Sequence, residues 1–340
     1  MGRSARDWDE SDVRVRPNRR GSRPRTKDRP AHADAVIGFV TAVDRGRWTT
    51  LVDDGGDERL VIAMRARELG RTSIVVGDRV GLVGDVSGRP DTLARIVRVE
   101  QRDSVLRRTA DDTDPIERIV VANADQLVIV SALANPEPRP RLIDRCLVAA
   151  YDAELDPLLV LTKADLVAAE PFLAQYAPLD LPCVVTSVLR PGSEGLAGLR
   201  ERLEGQVSVL VGHSGVGKST LVNALVPDAA RATGVVNDVT GRGRHTSTSA
   251  VALQLPEGGW VIDTPGIRSF GLAHVDPTRI VDHFPELAEG TAHCPRGCSH
   301  DEPDCGLDTW VDQGQAGANG AQRLDSLRRL LRTRTAQSGD

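Results

Sequence analysis

No apolar run in this 340-residue chain approaches the ~20 residues that a membrane-spanning helix needs, so no membrane association is expected. Nor does any segment run from a basic start through an apolar centre to a small-residue cleavage site, so no secretory signal is read and the cytoplasm is the expected location. Cysteine is scarce. There are five, an odd number, and Cys294, Cys298 and Cys305 crowd into one short segment, which suits a metal in a reducing compartment better than a disulfide framework. Aromatic residues are thin in the N-terminal third, where Phe39 and Trp48 are the only ones between Asp34 and Glu100. The 40% hydrophobic and 27% charged residues still suffice for a soluble globular protein of two or three domains.

Charge is uneven. Arg14 to Arg29 holds eight basic side chains and one acidic one, Asp28, a local +7, which leaves −12 on the rest of a chain whose net charge is −5. Pro17, Pro24, Pro30 and the near absence of large apolar residues predict a disordered arm. Its sign and density suit contact with a phosphate backbone, and a solvated tail is the alternative. Asp7, Asp9, Glu10 and Asp12 speak against a transit peptide.

After the arm come five short β-type runs, starting near Ala35, Trp48, Arg59, Asp78 and Thr92, several separated by glycine turns such as "DDGGDE" and "SGRP". That spacing predicts a small barrel, most readily of the OB type. Such barrels often stack nucleic-acid bases on aromatics. With so few here, any RNA contact is expected to go through backbone charge and shape, and a purely structural barrel is the competing reading. From about Asn123 the pattern changes to buried strands ("QLVIVSAL", "PLLVLTKAD", "CVVTSV", "QVSVLVG", "GWVIDTPG") alternating with amphipathic helices, which implies a mostly parallel sheet covered on both faces.

"GHSGVGKST" (Gly212, His213, Ser214, Gly215, Val216, Gly217, Lys218, Ser219, Thr220) fits GxxxxGK[ST], with a strand before it and a helix after it. The glycines let backbone amides reach nucleotide phosphates. Lys218 would neutralise the β and γ phosphates, and the Ser219 hydroxyl would take one place around Mg²⁺. "DTPG" (Asp263 to Gly266) ends an apolar strand, where Asp263 can hold the metal through water and the Gly266 amide can sense the γ-phosphate. Between them, "GRGRHTSTS" reads as a switch loop, with Thr246 the candidate metal contact and Thr248 the alternative.

No base-reading motif follows Gly266. It comes earlier: "LTKAD" ends a strand, and Asp165 can accept two hydrogen bonds from a guanine edge, which adenine cannot offer. The stem of Lys163 would lie along the base plane, and Thr162 stands where NKxD has asparagine, so looser guanine discrimination is expected. "TSV" supplies Ser187 as a candidate in the second base loop. The motif order, with base reader and second base loop ahead of phosphate loop and switches, predicts a circularly permuted GTPase. Its switch II would run soon into the C-terminal segment and could move it directly.

"HCPRGCSHDEPDC" places Cys294, Cys298, His300 and Cys305 as a closed ligand set for one structural Zn²⁺, with His293 a possible substitute. Cys146 and Cys183 sit in apolar surroundings and read as core. Beyond the cluster, Leu324, Leu327 and Leu331 share one helical face, with Arg323, Arg328, Arg329 and Arg332 around it. This helix is expected to pack by leucine and to present its arginines to phosphates or to solvent.

Together the barrel, the base reader ahead of "GHSGVGKS", "GRGRHTST", "DTPG" and the cysteine cluster resemble the ribosome small-subunit-dependent GTPases, the RsgA or YjeQ family. The resemblance covers roughly Asp34 to Arg334 and leaves the arm outside; within it, the second base loop matches weakly and the CxxxC spacing is one residue shorter than the family's usual form. It implies an α/β P-loop GTPase domain, circularly permuted, with an N-terminal OB-type barrel and a C-terminal zinc-binding, mainly helical domain. The boundaries expected are 1–33 for the arm, 34–105 for the barrel, 106–272 for the GTPase domain and 273–340 for the last. It also implies GTP/GDP as ligand and the small ribosomal subunit with its rRNA as partner of a monomer acting in late subunit maturation. Ile267 stands where Ras-type enzymes orient water with glutamine, so intrinsic hydrolysis should be slow. His245 is the candidate that completes the site with the partner's help, a contact to RNA phosphates being its alternative role. Two readings from other classes are a P-loop small-molecule kinase or ATPase and a non-catalytic zinc-containing RNA-binding protein.

Overall fold

Five of the short runs close on themselves. The computed structural model describes residues 32–109, 116–187, 194–227, 250–264, 271–272 and 274–335. In it β1 (Val36–Asp44), β2 (Arg47–Asp53), β3 (Glu58–Arg65), β4 (Arg79–Gly84) and β5 (Ala94–Val99) follow the order β1-β2-β3-β5-β4, and β4 returns to β1. Only β3 and β5 run parallel, which is the OB arrangement. Closure satisfies the backbone groups that an open edge would expose. Val40, Val52, Val61, Val80, Leu82 and Ile96 fill the interior. Trp48 joins them, buried, with its indole N–H donating to the Ile74 carbonyl at 3.0 Å. Phe39 lies against Trp260, ring centroids 4.8 Å apart. Both aromatics are therefore engaged in packing.

A tight joint leads out of the barrel to the hairpin of β6 (Val105–Arg108) and β7 (Arg118–Ala122). Gly77, at φ 91°, runs so close to this hairpin that a Cβ there would sit 1.9 Å from the Ala122 carbonyl oxygen. The Asn123 amide donates to the Gly77 carbonyl at 2.8 Å, and Arg102 meets the fully buried Asp78 at 2.7 and 2.9 Å.

The second sheet contains β8 (Gln126–Ala132), β9 (Asp156–Thr162), β10 (Cys183–Val185), β11 (Val207–Val211), β12 (Val251–Gln254) and β13 (Trp260–Asp263), in the order β10-β9-β8-β11-β13-β12. All pairs are parallel except β12 with β13. Every residue of β8 is buried, as a central strand covered on both faces requires. The chain enters this sheet through the central β8 and adds β11, the strand before the phosphate loop, only after both base-side strands, β9 and β10, are laid. The edge strand β12 meets β1 at Ala42 and Val251, so barrel and sheet are hydrogen-bonded into one.

Helices cover both faces. α1 (Pro140–Asp152) starts with proline at its first position, where a missing N–H costs nothing. α2 (Glu194–Leu203) and α3 (Lys218–Leu225) cover the opposite face through Leu199, Leu203, Leu221 and Leu225. After α4 (Gly306–Asp312), α5 (Gly320–Thr335) buries Leu324, Leu327, Leu330 and Leu331 in the same core as Ile143, Leu147 and Tyr151 of α1. The leucine expectation thus holds, and each of the four arginines meets a carboxylate, Arg323 and Arg328 half-buried and Arg332 still largely exposed. Arg323 pairs with Glu286, Arg328 takes Asp308 through two bonds of 2.8 and 2.7 Å, Arg329 meets Asp144 at 3.1 Å and Arg332 meets Asp301 at 2.6 Å. Acids far away in sequence turn a basic face into a set of clamps. Among the described residues no helix is long and apolar enough to cross a membrane.

Candidate nucleotide site and metal centre

The phosphate loop joins β11 to α3. Gly212 has φ 152°, and a Cβ there would sit 2.3 Å from the Val130 carbonyl oxygen; Gly217 has φ 96°. These are conformations that side chains oppose. Lys218 bends back to donate to the Gly212 carbonyl at 2.5 Å. Burial lowers its pKa, with the nearby Asp263 acting the other way, so a phosphate would restore a partner for a half-buried charge. Asp263 is the mirror case: burial raises it and Lys218 pulls it down. Among the described residues its Oδ1 is buried with no hydrogen-bond partner, which is what an atom reserved for a metal's water shell would show. Ser219 and Thr220 are exposed at the start of α3, and the His213 Nδ1 lies 2.9 Å from the Ser214 carbonyl oxygen.

Two candidate base-side residues reach the same loop from the end of β9. Thr162 ends β9, and its buried hydroxyl donates to the Val216 carbonyl at 2.6 Å, tying that strand to the phosphate loop. The Lys163 ammonium donates to the carbonyls of Gly215, at 2.9 Å, and Asn135. Ser187, after β10, is buried and donates its hydroxyl to Asp165 Oδ1, which orients that carboxylate. The Thr186 N–H binds the Leu161 carbonyl at 2.8 Å, fixing the two base loops to each other. Thr264 adds a tie from its hydroxyl to the Leu210 carbonyl at 2.7 Å. Neither Asn135 nor Thr264 carried a sequence signal of its own, since one acts through its backbone and the other looks like any motif threonine. His245, Thr246, Thr248, Gly266 and Ile267 lie outside the described residues, as does the arm from 1 to 31.

The cysteine cluster closes as a ligand set. Cys294 Sγ lies 3.6 Å from His300 Nδ1 and 3.9 Å from Cys305 Sγ, while Cys305 Sγ and His300 Nδ1 are 4.0 Å apart. The four ligand atoms, Cys298 included, lie within 4.8 Å of one another. Tetrahedral zinc with ~2.3 Å sulfur bonds needs edges of about 3.8 Å, so the residues present fit that ion. The His300 N–H donates to Cys298 Sγ at 3.3 Å, and Arg328 holds the His300 carbonyl at 3.0 Å. His293 is not in the set, because its ring stacks on Trp310. Cys146 is a buried core residue whose thiol burial pushes up to about 12, and Cys183 is half-buried on the edge strand β10.

A family model for the RsgA GTPase matches residues 99–273. A "Small ribosomal subunit biogenesis GTPase RsgA" of Gemmatimonas aurantiaca is 36% identical over 310 residues, covering 88% of this chain and 99% of that protein. The chain belongs to the RsgA GTPase family. An RsgA of Ectopseudomonas mendocina is 44% identical over 220 residues, and that match spans 62% of each chain. The crystal structure of YjeQ from Thermotoga maritima superposes with a TM-score of 0.63 at 28% identity, covering 88% of this chain and 99% of that one. YloQ, described as a circularly permuted GTPase, shares the fold with a TM-score of 0.62 at 21% identity, covering 91% of this chain and 98% of that one. Within the RsgA fold the permuted strand order and the barrel are thus accounted for.

Proposed function

We propose that this chain is a GTP hydrolase that binds the small ribosomal subunit, is stimulated by it, and acts late in that subunit's biogenesis. The observation that carries the reading is that Thr162 and Lys163, at the end of β9, bond to the loop that would hold the phosphates, while Ser187 orients the Asp165 carboxylate two residues further on. A kinase or ATPase has no use for a carboxylate so placed, and a non-catalytic RNA-binding module has no use for Lys218, Ser219 and Asp263 together. Asp165 would accept from the guanine ring N–H and amine. The amides from His213 to Thr220 and the Lys218 ammonium would hold the phosphates of GTP or GDP. Ser219, Thr246 and, through water, Asp263 would hold Mg²⁺, which supplies charge neutralisation on the phosphates when bound. The Gly266 amide would meet the γ-phosphate, and His245, in place of a glutamine, would orient the attacking water once the subunit sets it. Cys294, Cys298, His300 and Cys305 would hold one structural zinc.

We assign 1–33 to a basic arm, 34–105 to the barrel, 106–272 to the GTPase domain and 273–340 to the zinc-binding segment. The chain is expected to act as a cytoplasmic monomer in contact with rRNA. The test is turnover of GTP and ATP by the purified protein with and without small subunits, beside Lys218→Ala. Slow, GTP-selective turnover that rises sharply with the subunit and vanishes in the variant is expected. Equal use of ATP, or no stimulation, would overturn the reading.

A further inference from the structure

The last helix holds more than the zinc loop. Its arginines reach the stretch that joins the two base-reading loops, Lys163–Val167 after β9 and Thr186–Ser187 after β10. Arg323 donates to the Pro178 carbonyl at 2.8 Å and Arg329 to the Gln175 carbonyl at 3.3 Å. The Arg329 guanidinium also stands over the Tyr176 ring, 5.1 Å from its centroid, and the Tyr176 hydroxyl donates to the Pro140 carbonyl at the start of α1. Tyr176 is thereby pinned between α1 and α5. The pin rests on an incompletely bonded ion pair in which Asp144 is buried and the Arg329 side chain is 38% exposed: Arg329 Nε lies 3.1 Å from Asp144 Oδ2, while among the described residues Asp144 Oδ1 and Arg329 Nη2 find no hydrogen-bond partner. From α1, Arg145 holds the Thr333 carbonyl near the end of α5 at 3.0 Å.

A half-buried pair left partly unsatisfied is a poor device for stability alone. From its position we propose that Arg323 and Arg329 are positioning residues for guanine recognition. They hold the Gln175–Pro178 turn, and with it the spacing between the Asp165 and Ser187 loops. The helix that completes the zinc-binding segment thereby sets how tightly the base is held. A partner that lifts α5 would loosen nucleotide from the base end.

This inference rests on the guanine site proposed above, and its test separates the two. Release of a fluorescent GDP analogue is measured for the full-length wild type, Arg323→Gln/Arg329→Gln and Leu330→Ala, with thermal unfolding and zinc content recorded for each. The double arginine variant is expected to keep its zinc and to bind GDP about tenfold more weakly through faster release. Leu330→Ala, destabilised in the same helix but retaining both arginines, is expected to bind as the wild type does. Unchanged GDP release in the arginine variant, or an equal weakening in Leu330→Ala, would overturn the inference while leaving the guanine site standing. A wild type that fails to bind guanine nucleotides would overturn both.

Discussion

Thr162→Val isolates the tie between base strand and phosphate loop. The substitution keeps shape and volume but removes the hydroxyl that bonds the Val216 carbonyl at 2.6 Å, where both residues are nearly inaccessible, at 3% and 4% exposure. Taking away one partner of a buried hydrogen bond costs about 1–3 kcal/mol. Because the bond exists before any ligand arrives, part of that cost should appear as lower stability, read from the midpoint of urea unfolding. The remainder should appear in nucleotide affinity, since GTP or GDP must grip the loop at one end and Asp165 at the other. A share of about 1.4 kcal/mol corresponds to a tenfold weaker Kd, equal for GTP and GDP. The ratio of guanine to adenine affinity should not change, because Asp165 is the group proposed to discriminate. The hydroxyl points at a backbone carbonyl of the phosphate loop, so the threonine that replaces asparagine is read as a positioning residue. Unchanged stability and affinity would refute the importance of the tie, and a collapse of guanine preference would show that Thr162 itself reads the base.

Three further outcomes are expected. His245→Ala should lower subunit-stimulated turnover about 10²-fold or more while leaving GTP affinity intact; full stimulated turnover in single-turnover assays would remove His245 from the chemistry. Cys305→Ser, or chelation, should abolish zinc binding and loosen α5, seen as a lower melting temperature, because Arg328 and Arg332 anchor that helix to the His300 carbonyl, Asp308 and Asp301; an unchanged melting curve on zinc loss would contradict this. Burial pushes Asp144 up to about 6, with Arg329 and the Tyr176 hydroxyl offsetting it only in part. An acid with a raised folded pKa holds its proton preferentially when folded, so its unfavourable contribution grows as pH rises from about 4 to about 6, by about 3 kcal/mol. Asp144→Asn should remove that slope from the difference between the two stability–pH curves, and parallel curves would show that Asp144 does not titrate as buried.

Much of the site was legible in the sequence because its determinants are local. The phosphate loop needs glycines at fixed offsets, the zinc set occupies twelve residues from Cys294 to Cys305, and buried parallel strands advertise themselves as unbroken apolar runs. Motif order alone carried the permutation. What stayed hidden depends on partners distant in the chain. Four arginines on α5 look like a phosphate-facing surface until Glu286, Asp308, Asp144 and Asp301 are folded against them. Ser187 stood in a loop that matched its motif weakly, and only the parallel pairing of β9 with β10 brings it to Asp165. The union of barrel and sheet at Ala42 and Val251 left no trace in either strand's own pattern.

The proposed function turns on a carboxylate, Asp165, that lies ahead of the phosphate loop in the chain and would read the base. Asp165→Asn replaces an acceptor by an amide that can donate to the C2 carbonyl of xanthine and no longer accepts both guanine protons. Binding of GTP and XTP should be measured for the wild type and for this variant. Loss of GTP affinity with a gain for XTP is the predicted result, and retention of GTP binding by Asp165→Asn would contradict the claim.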